Sequence, residues 1–198
     1  MQNLKIPLER IGVLIGEHGR IKREIEECTN SKIGIEDTSV TVESTVPDCL
    51  GEMTAKNIVQ AIGRGFNPDV AMQLLKEDYT LEIIPLSDYV GAGAFERIKG
   101  RIIGQSGKSR RVIEELSGAS VSVYGKTVGI IGSFDDVALA KDAVVMLIQG
   151  ARHSSVYRML ERVQSQRKTA HWDVSGLGGG RVADEAENME EPVEDDEE

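Results

Sequence analysis

Four glycines constrain this chain more than any other feature. Gly16 and Gly19 form one Gly-x-x-Gly turn, Gly104 and Gly107 form another, and the two turns lie 88 residues apart. The flanks repeat at the same shift: Gly12 with Gly100, Ile15 with Ile103, Arg23 with Arg111, and Ile25-Glu26-Glu27 with Ile113-Glu114-Glu115. Ala55-Lys56 meets Ala140-Lys141 at a shift of 85, so the first copy holds three extra residues, most simply in a loop around Pro47. Matches centred on one shared turn, with the same neighbours in the same order, predict two copies of one folding unit.

Hydrophobic periodicity gives each copy the order β-α-α-β-β-α. In the first, residues 3–8 read as a short edge strand, because Pro7 lacks a donor. Glu9–Ile15 reads as a helix with Ile11, Leu14 and Ile15 on its inner face, and Arg20–Cys28 as a second with Ile21, Ile25 and Cys28. Lys32–Glu36 and Ser39–Glu43 form a hairpin, and Thr54–Phe66 a third helix burying Ile58, Ala61 and Ile62. The second copy runs through a strand at Tyr79–Ile84 and helices at Phe95–Ile103 and Lys108–Leu116. A hairpin of Ser120–Tyr124 and Thr127–Ile131 follows, then a long helix at Phe134–Ile148. The expected division is a first domain at 1–66, a helical connector at 67–77 started by Pro68, and a second domain at 78–150. A helix at 151–170, capped by Ser154 or Ser155, comes next, then a glycine-rich hinge and acidic disordered tail at 171–198.

Charge follows the same division. Of the formal net charge of −10, residues 181–198 hold −9 through ten acids and one Arg, which leaves −1 for residues 1–180. The body is nearly neutral, so a polyanionic partner is compatible with it, and the tail reads as a solvated end. Aromatics are only 4%, which argues against a site built on stacked aromatic platforms. Cys28 and Cys49 show no short metal-type pairing and suit a reduced compartment. No signal-peptide pattern or membrane-length apolar run is present, so the expectation is a soluble, cytoplasmic protein without a membrane partner.

A glycine-bounded turn opening a helix presents backbone amides to an anion. A nucleotide loop is the first candidate, and it fails. Gly107-Lys108-Ser109 imitates the end of a Walker A motif, but the first glycine of that motif falls on Ile102. The dinucleotide fingerprint starting at Gly91 and Gly93 has Glu96 in place of its third glycine. No cofactor is expected. His18, His153 and His171 lie in separate segments without metal spacing, and Glu26-Glu27 and Glu114-Glu115 sit on helices where neighbours point apart. No catalytic or metal site is expected, and the chain reads as a non-enzyme.

The duplicated helix–Gly-x-x-Gly–helix, followed by a hairpin and a third helix, resembles the type I KH fold. That implies an α+β architecture of two tandem domains, each a three-stranded antiparallel sheet packed by three helices. In KH domains the loop clamps a single-stranded backbone while bases lie in an adjacent apolar groove. The carriers expected here are Gly104, Gln105, Ser106, Gly107 and Lys108, with Lys99, Arg101, Arg110 and Arg111 nearby. In the first copy they are Gly16, His18, Gly19, Arg20, Lys22 and Arg23. The second turn holds neutral Gln105 and Ser106, whereas the first holds Glu17, whose carboxylate is unfavourable beside a phosphate. The second copy is therefore expected to bind RNA more strongly, and the first to bind weakly or act as a scaffold.

The run KGRIIGQSGKSRRVIEELSGASVSVYGKTVGIIG, with IQGARHSSVYRMLE after it, is similar to the archaeal two-KH relatives of the small-subunit assembly factor Partner-of-Nob-One, over residues 1 to about 168. The resemblance implies binding near the 3′ end of small-subunit ribosomal RNA during maturation. It also implies two partners, an rRNA-processing endonuclease and translation initiation factor two. The competing reading is an interaction scaffold whose KH domains chiefly contact protein.

Overall fold

The computed structural model describes residues 2–45 and 49–175. Its elements are β1 (Gln2–Lys5), α1 (Leu8–Ile15), α2 (Arg20–Thr29), β2 (Ser31–Glu36), β3 (Ser39–Ser44) and α3 (Cys49–Gly63). A short α4 (Pro68–Ala71) with a 3-10 turn at Met72–Leu75 leads into β4 (Tyr79–Pro85), α5 (Phe95–Ile103), α6 (Lys108–Ser117), β5 (Ser120–Tyr124), β6 (Thr127–Ser133), α7 (Phe134–Ile148) and α8 (His153–Ser175). Two antiparallel three-stranded sheets result, ordered β1-β3-β2 and β4-β6-β5. Each repeat thus sets its last strand in the middle and leaves its second strand, β2 or β5, on an edge beside the helix that follows the glycine turn. The architecture is α+β, and no helix among the described residues is long and apolar enough to cross a membrane.

In the first repeat, alternation on β3 sends Val40 and Val42 inward against Ile33 of β2, Ile25 of α2 and Leu14 of α1, with Ile58 and Ile62 of α3 closing the core. Apolar side chains at strand and helix period from separate segments therefore meet in one interior, the main favourable contribution to stability. The second core is built alike from Ile98, Ile102, Ile113, Val121, Val128, Ile130, Val144 and Leu147. Val156 and Leu160 of α8 are fully buried in that core, so the last helix belongs to its packing.

Several expectations are corrected. The first strand ends at Lys5, before Pro7, and Leu8 already belongs to α1. Ile15 and Cys28, expected inside, are exposed. Helix α1 ends at Ile15, where the chain turns away. The inner stripe of α2 is Ile25 and Thr29, with Thr29 Oγ1 donating to the Ile25 carbonyl at 2.6 Å. Helix α3 starts five residues early, through Leu50 and Met53, both more than 60% exposed; the inward residue of that turn is Gly51, pressed against the Thr29 carbonyl, and a glycine adds no apolar periodicity to read. Leu75, at the end of the connector's 3-10 turn, is exposed. Helix α8 starts at His153, so Ser154 and Ser155 lie within its first turn, and it runs to Ser175, past the expected start of the hinge at His171. The acidic run 181–198 lies outside the described residues.

The repeats do not pack as independent beads, because Met1–Gln164 make up one compact unit. Strand β6 is buried on both faces: Val128 and Ile130 point into the second core, while Ile131 joins the first. The ring of Phe66, at the end of the first repeat, covers Gly129, where an added Cβ would stand 2.6 Å from the Phe66 Cε2. Polar ties flank this contact. Ser122 Oγ donates to the Arg64 carbonyl at 3.0 Å, and the Tyr124 hydroxyl donates to Glu9 Oε1 at 2.5 Å.

Candidate nucleic-acid interface

The two glycine turns have the same backbone. Gly16 adopts φ 69, ψ −176 and Gly104 φ 72, ψ 177, a region that only glycine enters without strain. His18 and Ser106 follow in the left-handed region at φ 50 and φ 52, and Gly19 and Gly107 at φ 77 and φ 76 open α2 and α6. The glycines of a pair are needed for different reasons. A Cβ on Gly104 would stand 2.6 Å from the Cβ of Ser109 and 2.8 Å from its backbone nitrogen, whereas a Cβ on Gly107 meets nothing within 4 Å. Gly16 is likewise pressed against Ile21 and Gly19 is open. The first glycine of each pair lets helix and turn approach, and the second supplies a left-handed hinge.

A guanidinium supports each turn from the helix that follows. Arg111 Nη2 donates to the Ser106 carbonyl at 2.7 Å. Arg23 Nη2 donates to the His18 carbonyl at 2.9 Å, and its Nε to Gly19 at 3.3 Å. A left-handed conformation costs a non-glycine residue about 1 kcal/mol, and a charge-assisted hydrogen bond on its carbonyl offsets a cost of that size.

Beside the second turn lies an open cleft of about 510 Å³, lined by Gln105, Ser106, Lys108, Arg111, Val112 and Glu115. Gln105, Ser106, Lys108 and Arg111 are exposed there, at the N-terminus of a ten-residue helix whose dipole favours an anion. The first turn has a counterpart of about 450 Å³ lined by Arg20, Arg23, Glu24 and Glu27, the residues 88 positions earlier. The decisive difference is Glu24 in place of Val112, with exposed Glu17 in the turn where the second repeat has Gln105. Glu24 and Glu27 line the first opening, against Glu115 alone in the second, and Glu17 adds a further carboxylate in the turn itself.

The remaining cations divide by helix face. Arg110 and Lys22 lie on the side toward the edge strand, with Arg110 Nε 3.6 Å from Glu114 and Lys22 Nζ 3.8 Å from Glu26. Those carboxylates accept backbone N–H groups of the edge strands, Glu114 from Val121 at 2.8 Å and Glu26 from Ile33 at 2.7 Å. In the first repeat an opening of about 390 Å³ between α2 and β2 is lined by Lys22, Glu26, Lys32, Ile33 and Glu43, among others.

Lys99 and Arg101 are not brought to the turn. Lys99 Nζ is held by Glu96 Oε1 at 2.5 Å, and the Lys99 side chain is largely covered. Arg101 donates through Nε to the Leu147 carbonyl in the last turn of α7 at 2.9 Å, which also accepts the Gly150 N–H, and through Nη2 to the Ala151 carbonyl just beyond the helix. In the first repeat Arg10 does the same to Ile62 at 2.8 Å and Phe66 at 2.5 Å, carbonyls 85 residues before those of Leu147 and Ala151. Sequence reasoning missed Arg10 as a clamp and Glu26 and Glu114 as strand caps. The repeat of Glu26 and Glu114 at one shift is the signal that could have marked those two. Among the described residues, no group of three or more His, Cys, Asp and Glu side chains could hold a metal ion.

Comparison with known proteins agrees with this geometry. Residues 80–165 match the family described as eukaryotic type KH-domain, KH-domain type I. A KH domain-containing protein of Methanocaldococcus jannaschii is 47% identical over 175 residues, covering 86% of this chain and 77% of that protein. The pre-rRNA-processing protein PNO1 of Chaetomium thermophilum is 27% identical, covering 84% of this chain and 67% of that protein. Among solved structures, the a/eIF2alpha-aDim2p-rRNA complex from Pyrococcus horikoshii holds a chain 49% identical at a TM-score of 0.79, covering 83% of this chain and 94% of that one. The chain thus belongs to the family of KH-domain proteins that includes Dim2p of Pyrococcus horikoshii and the pre-rRNA-processing protein PNO1.

Proposed function

We propose that this protein is a non-enzymatic RNA-binding factor of ribosome assembly that holds single-stranded small-subunit rRNA near its 3′ end. Both repeats act as type I KH domains, at 1–66 and 78–150, joined by the connector at 67–77. The backbone of the RNA lies along the Gly104–Gly107 turn and Lys108, with bases toward the groove between α6 and β5. The observation that carries this reading is the second turn itself: a glycine-bounded loop with neutral exposed side chains, set at a helix N-terminus beside exposed Lys108 and Arg111. The Pyrococcus relative was crystallised with rRNA and a/eIF2alpha, which supports rRNA and translation initiation factor two as partners. An rRNA-processing endonuclease is proposed as a further partner, in keeping with a relative that is a pre-rRNA-processing protein.

Gly107→Asp tests the reading most cleanly. The position is sterically open, and its left-handed backbone at φ 76 costs an Asp only about 1 kcal/mol, so the fold is kept while a carboxylate enters the phosphate path. Affinity for a single-stranded RNA carrying the 3′-terminal small-subunit sequence should fall at least tenfold in fluorescence anisotropy, and unchanged affinity would refute the proposal. The first opening, with Glu24 and Glu27 in its lining and Glu17 in the adjoining turn, favours a protein-contact role for that repeat. Partners retained in a pull-down after nuclease treatment would support that second reading.

A further inference from the structure

The peptide bond between Ser106 and Gly107 is gripped at both ends. Its carbonyl accepts the Arg111 guanidinium at 2.7 Å, and its N–H donates to the Gly104 carbonyl at 3.2 Å. The matching peptide between His18 and Gly19 is held by Arg23 at 2.9 Å and by the Gly16 carbonyl at 3.4 Å. In a trans peptide the C=O and N–H point in opposite directions, so fixing both fixes the plane. That plane closes the turn and sets the direction in which the first turn of the next helix points its amides.

We propose that Arg111, and Arg23 in the first repeat, are positioning residues that hold the Gly-x-x-Gly turn in its binding shape. This rests on the RNA reading above. The comparison of the two repeats separates this role from a plain phosphate contact. Each turn keeps a cation at the start of its helix, Arg20 or Lys108, but the side chains that set the charge around it differ: Glu17 against Gln105, His18 against Ser106, Glu24 against Val112. The residue packed beneath the first glycine differs as well, Ile21 against Ser109. The backbone angles and the guanidinium that reaches back five residues do not differ. The arginine therefore follows the shape of the turn and not the charge of its opening. Its planar fork meets a carbonyl in a geometry that a lysine ammonium on a flexible four-carbon stem does not reproduce.

The test compares Arg111→Lys, Arg111→Gln and Lys108→Gln in the full chain. Binding is read by anisotropy with the 3′-terminal rRNA oligonucleotide over a salt series, and the turn by amide NMR of Gln105–Gly107 in the free protein. Arg111 is exposed, so these variants remain folded. Arg111→Lys is expected to lose about tenfold in affinity, as much as Arg111→Gln, to keep the wild-type salt dependence, and to shift the turn amides. Lys108→Gln is expected to leave those amides in place and to lower the salt slope by about 0.7, the signature of one lost phosphate contact on a single strand. Lys108→Gln weakened with Arg111→Lys like wild type overturns the positioning role alone. All three variants binding like wild type overturns the RNA reading of this face, and the positioning role with it.

Discussion

Arg101 Nε donates to the carbonyl of Leu147 at 2.9 Å, and Arg10 Nε donates to that of Ile62 at 2.8 Å. The two acceptors occupy equivalent places at the ends of α7 and α3, but the donors do not: position 98, which matches Arg10, is Ile. The same pair of helix-end carbonyls is thus satisfied in each repeat by an arginine from a different turn of the first helix. Arg101→Gln should lower stability by about 2 kcal/mol, since it removes two charge-assisted bonds, to the carbonyls of Leu147 and Ala151. RNA affinity of the folded protein should not change. Urea unfolding and anisotropy on the same sample check both halves.

The glycines of a turn should separate under mutation. Gly104→Asp places atoms into the backbone of Ser109 and should destabilise the turn as well as abolish binding. Gly107→Asp should abolish binding with a much smaller loss of melting temperature. Gly19→Asp, in the repeat that already carries Glu17 and Glu24, should cost less affinity than Gly107→Asp. Equal losses at Gly19 and Gly107 would contradict the ranking of the two openings.

Gly129 and Phe66 couple the repeats. Gly129→Ala should destabilise by roughly 1–3 kcal/mol, the usual cost of overpacking, because its Cβ would meet the Phe66 ring. Phe66→Ala alone should cost roughly 3 kcal/mol. In the double variant the Gly129→Ala penalty should largely vanish, and a denaturation cycle over the four proteins would measure that non-additivity.

Alkaline stability should report the tie between Tyr124 and Glu9. The hydrogen bond to the Glu9 carboxylate, aided by partial burial and the nearby negative charge, raises the Tyr124 phenol above its ordinary value. A group raised on folding stabilises fully below its unfolded pKa, about 10 for tyrosine, and loses that contribution as pH climbs through the folded value. Lys141, raised mainly by its hydrogen bond to Glu82, loses its contribution in the same direction above its own unfolded value. Only the difference between wild type and Tyr124→Phe therefore isolates the tie. It should be about 0.5 kcal/mol at neutral pH, modest because the pair is exposed, and should shrink toward zero in strong alkali.

The turns and their flanks were legible because glycine at positive φ leaves a mark in the sequence, and a repeated mark fixes an element order. Helices α5 and α7 have their expected bounds, since strong apolar periodicity starts and stops with them. Periodicity names an inner face but not what opposes it, which is why Ile15 and Cys28 were placed wrongly. Cations were the least legible. Lys99, Arg101, Arg110 and Arg111 lie within one short stretch, yet one pairs with Glu96, one caps a helix end, one faces the edge strand and one supports the turn. Their carbonyl partners, five to fifty residues away, have no side-chain signature. The docking of Phe66 on Gly129 was invisible for a related reason: a glycine within a strand does not announce which surface comes close to it.

The double burial of β6 bears on how this protein can be taken apart. A fragment holding only the second repeat would carry Ile131 and the bare backbone at Gly129 on an outer surface, with Leu81 of β4 beside them. Such a greasy, flat patch invites self-association. Dissection by truncation would therefore report on clumping, and assigning roles to the two halves calls for point changes within the intact chain.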